Sequence, residues 1–233
     1  MKTFKHIITA LTLIALLTPV VYSQASKTSL GMFFKVINNV EKKSVEKDWH
    51  KAAKGEALFP GNEVQTKNSS VAVIRFTDRS MIRVLENSRI TMLGDRDKKS
   101  ATNDTKLDKG TIGFDVKKQQ NEQYTFTSPT SVASIRGTTG RFGIQDEFDV
   151  LIVKLGIVNL LNKKSGKETN VGAGETGLSY PDGNLEVRKA TPDELNAVDA
   201  SLKAGDAQKE NELKFELKDN DGNKKDLKIK YKE

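Results

Sequence analysis

Histidine is the first place to look for chemistry, and His50 is the only histidine in residues 24–233. The chain has no cysteine, so neither a thiolate nucleophile nor a zinc site of the usual Cys/His kind is available. A Ser–His–Asp arrangement would have to use His50. That residue lies in the polar run Lys47-Asp48-Trp49-His50-Lys51 and is expected to be an exposed neighbour of Trp49. Acidic residues are plentiful, yet no pair sits in a distinctive hydrolase motif. Asp219-Asn220-Asp221-Gly222-Asn223 has the start of a calcium loop, but position 12 holds Lys230 where a bidentate Glu is needed, so it reads as a hairpin turn. Arg136-Gly137-Thr138 allows two readings. Arg136 could present its fork of donors to a partner carboxylate, or it could satisfy carbonyls within a bend. The second is preferred here, because a turn offers carbonyls. No catalytic residue, metal or cofactor is expected, and the chain does not read as an enzyme.

The first residues set the compartment. Lys2 and Lys5 form a basic region, Ile7 to Leu17 is uncharged and mostly apolar, and Val21-Tyr22-Ser23 suits cleavage after Ser23. This is the layout of a secretory signal peptide over residues 1–23, and the apolar run is shorter than the 20 or so residues a span needs. A periplasmic or secreted protein with no stable membrane span after cleavage is expected. The formal net charge is +7. Losing the two leader lysines leaves +5, and residues 190–233 carry −2 (nine lysines against eleven acids), so the body is basic. Scattered lysine alternating with acid is usually a solvated surface, and the exported address argues against nucleic acid as a partner.

The elements that would position any site are short strands. Alternating runs occur at Ala72-Ile74-Phe76, Ile82-Val84, Ile112-Phe114-Val116, Tyr124-Phe126, Phe142-Ile144 and Leu185-Val187. Period-two alternation with turns every eight to twelve residues marks an all-β body. Ile74, Ile82 and Ile90 are spaced by eight, as are Ile144, Ile152 and Leu160, which suggests stacked coils. The expected architecture is two stacked sheets with β-solenoid-like winding, a sandwich being the alternative. Between Phe126 and Ile144, Ser128-Pro129 stops one extended piece, and glycines 137, 140 and 143 permit a bend into the next. Gly94 to Asp108 reads as a long exposed loop, Lys117 to Gln123 as a polar turn, and Asn162 to Asn170 as a hairpin tip.

The tail changes character. Thr191-Pro192-Asp193-Glu194 is a capping-box start with Pro at the first helical position, and Leu195, Val198 and Leu202 give one apolar stripe. Leu213-Phe215-Leu217 and Leu227-Ile229-Tyr231 then predict a hairpin. The organisation is thus signal peptide 1–23, β domain 24–189, and helix-plus-hairpin cap 190–233.

Five blocks in order resemble the FecR-like domain, the periplasmic module of ferric-citrate-type signalling regulators. They are Gly55, Leu58, Gly61, Asn62, Val64 and Thr66; Ser70 to Val84 with Asp78 and Ser80; Leu107, Gly110, Ile112, Phe114 and Val116; Pro129 to Ile144 with Arg136, Gly137 and Thr138; and Leu151, Val153, Gly156, Val158 and Leu160. The resemblance runs from about Gly31 to Tyr180 and implies that Trp49 is a packing anchor and that the signature positions are structural. Two departures are Asn62 for the family's Asp and Arg79 for its Gly. Arg79 is unsuited to a type I′ turn, so the hairpin uses another turn or carries strain. The resemblance implies a non-enzymatic exported domain that contacts an envelope or secreted protein, possible roles including cell-surface signalling. The alternative is a module for an acidic envelope ligand such as a glycan. Intact mass spectrometry of the exported protein should give a chain starting at Gln24; a mass that includes residues 1–23 would contradict cleavage.

Overall fold

A strand that buries one face needs a second sheet to bury it against. This chain supplies two. The computed structural model describes residues 28–96, 101–118, 122–146, 148–206, 210–218 and 224–232; the expected signal peptide and the 219–223 turn lie outside them. The chain opens with β1 (Gly31–Ile37), β2 (Val40–Lys43), β3 (His50–Lys51), β4 (Ala57–Leu58) and β5 (Glu63–Thr66). Next come β6 (Val71–Phe76), β7 (Met81–Val84), β8 (Arg89–Met92), β9 (Asp95–Arg96), β10 (Ala101–Lys109) and β11 (Thr111–Asp115). Then follow β12 (Glu122–Thr127), β13 (Ser131–Ile135), β14 (Thr139–Gln145), β15 (Phe148–Leu155) and β16 (Ile157–Asn162). The series closes with β17 (Glu168–Gly172), β18 (Glu175–Ser179), β19 (Leu185–Lys189), α1 (Pro192–Lys203), β20 (Glu210–Lys218) and β21 (Lys224–Lys232).

One sheet has nine strands in the order β19-β18-β15-β14-β11-β7-β6-β1-β4. The facing sheet runs β17-β16-β13-β12-β10-β8-β5-β2-β3, with β9 on β10. The chain moves from one sheet to the other and back while advancing along both. Its core joins the two inner faces: Phe126 meets Phe114 and Phe142 of the opposite sheet at ring-centroid distances of 5.2 and 6.4 Å, and Tyr124 meets Phe76 at 5.3 Å. These five rings are all buried, and each contributes about 1.5–3 kcal/mol of burial.

The solenoid expectation is corrected. A solenoid stacks coils in parallel, whereas β10–β12 is the one parallel pair among the described strands. The spacing of eight has a local cause: Ile74 and Ile82 face each other across the antiparallel β6–β7 hairpin, and Ile90 lies in the other sheet. The loop expected over Gly94 to Asp108 is also corrected. β10 occupies most of it, between β8 and β12. Its inward positions are Asn103, Thr105 and Leu107, so two of three buried side chains are polar and the alternation is hidden.

The β6–β7 turn answers the question raised by Arg79. Arg79 N donates to Phe76 O (3.1 Å) and Phe76 N to Ser80 O (2.9 Å), closing a three-residue loop. Arg79 has φ +71°, the left-handed residue that such a loop requires. Asp78 braces the turn by accepting from Ser80 N (2.9 Å) and Ser80 Oγ (2.6 Å).

The capping box forms. Glu194 N donates to Thr191 Oγ1 (3.2 Å), and Thr191 N donates to Glu194 Oε2 (2.8 Å). Helix α1 lies over the outer face of the nine-stranded sheet, against β11, β14 and β15. Val198 is fully buried there, and the outward-facing Val73 and Ile152 are buried apart from the main core. Gly113 admits the helix: a Cβ at that position would lie 2.9 Å from Ser201 Cβ. Ion pairs ring the contact, linking Lys154 to Asp199, Arg188 to Glu194, and both Lys35 and Arg83 to Asp206. Among the described strands, β20 and β21 pair only with each other, from Glu210↔Lys232 to Lys218↔Lys224.

Replacing Arg79 by Gly should stabilise the fold by about 1 kcal/mol, since glycine takes positive φ without the steric penalty. Urea unfolding of the two proteins checks this; an unchanged or lowered midpoint would contradict the strain.

Candidate functional site

Strand direction sorts the eight singled-out positions into two ends of the sandwich. β12 starts at the end where β13 stops, and β5, β10 and β12 share one direction. Gly61, Asp78, Arg136-Gly137-Thr138 and Gly156 therefore lie in turns at one end, and Gly110 and Pro129 at the other. Three of them come into direct contact. A Cβ on Gly156 would lie 2.6 Å from Thr138 Cγ2 and 2.8 Å from Gly137 O, and one on Gly137 would lie 2.8 Å from Lys118 Cβ. Both glycines have positive φ, +88° and +65°, so backbone shape and close approach each require glycine here.

Arg136 departs from the expectation that it fills the bend. Its side chain is exposed, with no hydrogen-bond or ion-pair partner among the described residues. The bend leaves it nothing to do: Thr138 O already accepts from Val116 N (2.9 Å). Beside it, Leu155 and Ile157 flank Gly156 and are 60 % and 62 % exposed. Lys117 and Lys118 are exposed at the same end; Lys118 abuts Gly137, and Lys117 pairs with Asp115 at 2.9 Å. The result is an apolar pair bordered by three basic side chains. Sequence reasoning missed it, although two large aliphatic residues astride a turn glycine were the available signal.

The remaining positions serve packing. Gly61 (φ +85°) donates its N–H to Met92 O at 2.7 Å, and Asn62 Oδ1 accepts from Phe59 N at 3.0 Å. Gly110 (φ +87°) abuts Ser88, whose Oγ accepts from Thr111 N at 2.9 Å. Pro129 follows the buried Ser128, whose Oγ accepts from Thr130 N (3.0 Å) and Ser131 N (2.8 Å). Ser128 and Ser131 both donate to Asp149 Oδ2, while Asp149 Oδ1 is buried with no partner among the described residues. Burial pushes the Asp149 carboxyl above its ordinary range, against the pull of the two serines. This group was also missed. Its signal was an acid in register with the inward-facing Leu151 and Val153.

The histidine is half-buried, a correction to the exposed position expected for it. Its Nδ1 lies 3.0 Å from Asp48 O, and its Nε2 lies 3.2 Å from Glu56 Oε1, which also accepts from Lys42 (3.0 Å). Partial burial works against ionisation of Glu56, but Lys42 and His50 outweigh it and hold the carboxyl below its usual range. None of the hydrogen bonds of His50 engages a hydroxyl, so no nucleophile–base pair is assembled on it. No cluster of three or more His, Asp or Glu suited to a metal occurs among the described residues. Trp49 is half-buried with the Arg89 guanidinium 5.3 Å from its ring, a packing contact on the ten-stranded sheet.

The turns that braid Asp78, Gly137 and Gly156 into the sandwich coincide with a family match. Residues 62–158 match the family model described as FecR protein. That segment is similar to the FecR domain. The matched segment runs from the Asn62 turn into β16, a narrower range than the resemblance noted in the sequence. Two crystal structures, at 2.50 and 1.65 Å, of a proposed anti-sigma factor from Parabacteroides distasonis ATCC 8503 share the fold. Each has a TM-score of 0.50, with 11 % and 10 % identity, over 58 % of this chain and 62 % and 63 % of theirs. The similarity thus spans less than two thirds of those chains. No curated protein matches. No helix among the described residues is long and apolar enough to cross a membrane.

Asp149 gives a pH test of the two-sheet body. A carboxyl held above its ordinary range contributes stability that is complete below about pH 4 and is lost as pH rises through the folded value. Asp149→Asn should therefore gain stability relative to the parent as pH rises from about 4 to 7. Urea unfolding across that range reads it; a pH-independent difference would contradict the burial of the charge.

Proposed function

We propose that this FecR-like protein is an exported, non-enzymatic regulator that works by contact with another protein at the cell envelope. One observation carries the reading: Arg136, Leu155 and Ile157 are offered to solvent by turns whose glycines are committed to packing. Exposed aliphatic side chains of this size beside Arg136 and Lys118, which have no ion-pair partner among the described residues, suit a partner segment with an apolar anchor flanked by carboxylates. The layout of residues 1–23 supports export to the periplasm or beyond. The burial of Val73 and Ile152 beneath α1 supports treating residues 190–233 as a cap on the 24–189 body. An acidic glycan would use Arg136, Lys117 and Lys118 but would leave Leu155 and Ile157 without a role, so protein contact is preferred.

The test is a photo-crosslinking amino acid placed at Ile157, and separately at Lys164 on the opposite end, in the full-length protein in its native cells. A discrete protein adduct from position 157, absent from 164 and lost with Arg136→Glu, is expected. No protein adduct from 157, or equal adducts from both positions, would overturn the reading.

A further inference from the structure

The helix–sheet contact holds one charge that it does not use. Among the described residues, Arg83, Lys35, Lys154 and Arg188 each reach a carboxylate around α1. Arg141, on the outer face of β14 beneath the same helix, is half-buried and has no hydrogen-bond or ion-pair partner among the described residues. Burial pulls its guanidinium below the ordinary arginine range. A partly desolvated cation without a partner costs stability that a simple apolar residue would not. Its surroundings keep it accessible. Its register partner in β11 is Gly113, and the next residue on its own face is Gly143, so no side chain from either position covers it.

Two clefts open on either side of this guanidinium, of about 360 and 510 Å³. Arg141, Thr111 and Ala197 line both. The smaller adds Gln145 and Ile152 as wall, with Asp193 and Glu194 of the helix at its rim; Glu86 lines the larger. Glu194 is occupied: the Arg188 fork, with help from Thr191 and Thr176, holds its carboxyl down at about 2. Asp193 is exposed and makes no hydrogen bond or ion pair among the described residues.

We propose that Arg141 anchors a binding site for a small carboxylate in the cleft between α1 and the nine-stranded sheet. The guanidinium matches a carboxylate with two parallel N–H donors, and Thr111 and Gln145 supply further polar atoms. Asp193, lining the smaller cleft, selects a ligand that carries an N–H or O–H donor as well, and disfavours a dianion. The ligand class is therefore an α-carboxylate with an N–H donor on the adjacent carbon, the ammonium of a free amino acid or the amide N–H at the carboxyl end of a peptide. The volume of the smaller cleft falls at the lower end of small-molecule sites.

The test follows the Arg141 Nε–Hε resonance of the ¹⁵N-labelled protein during titration with a mixture of L-amino acids, with trialanine, with trialanine amide and with inorganic phosphate. A saturable shift with the amino acids or with trialanine is expected, and which of them binds tells a free amino acid from a peptide end. The amide and phosphate should leave the resonance in place. Arg141→Lys should weaken binding about tenfold or more with an unchanged melting temperature, because one ammonium cannot replace the fork. The proposal is overturned by the absence of any saturable shift at about 10 mM ligand, a concentration that would largely fill a site of millimolar Kd. Equal shifts with trialanine amide or phosphate, or undiminished binding by a folded Arg141→Met protein, would overturn it too.

Discussion

The contact of Phe126 with Phe114 and Phe142 is where the two sheets become one structure. Neither sheet can exist without the other, because each has a face of isoleucine, valine and phenylalanine that water would meet. With no cysteine in the chain, no covalent clip shares the task. Burial across this midplane must therefore offset the conformational entropy of ordering nearly twenty short strands. The rest follows from it. Turns must be tight enough to return each strand to the layer, and the glycines at 61, 110, 137 and 156 are placed where the return is tightest.

The same constraint explains why so little of the FecR signature is free for chemistry. Gly137, Thr138 and Gly156 fill one another's space, Asp78 closes its own turn, and Ser128 caps the chain around Pro129. What remains for function is what these turns hold out to solvent or leave uncovered. The exposed Arg136 and the aliphatic pair beside it are of the first kind, and the uncovered Arg141 is of the second.

Much of this was legible in the sequence. The capping box at Thr191 was visible because it depends on residues three apart, and the β6–β7 hairpin because Ile74 and Ile82 alternate in a strictly local pattern. Failures came where a long-range neighbour decided the outcome. β10 buries Asn103 and Thr105, which no alternation rule counts as core, because strands on both sides supply its backbone pairing. Arg136 could be read as the filler of its own bend only while the N–H of Val116, twenty-two residues upstream of Thr138, was unknown as the donor to that carbonyl. The spacing of eight carried real information about hairpin length, and it misled only when taken as the pitch of a coil.

The strand order has a consequence for how the molecule comes into being. From β5 onward, each of the two large sheets grows at one edge as the chain proceeds, and every strand on its path, β9 lying off it, pairs with one that precedes it by a few places. No early strand waits for a partner from the far end of the polypeptide. Such a protein can be laid down progressively from its N-terminus, each hairpin adding to a ledge already built, with loop-closure costs kept small at every step. The growing edge is the dangerous part of such a process, since an open ledge invites pairing with another chain. Helix α1, arriving after all the strands of the two large sheets, lies over β11, β14 and β15, clasps strands laid down at different times and so acts as the seal on them.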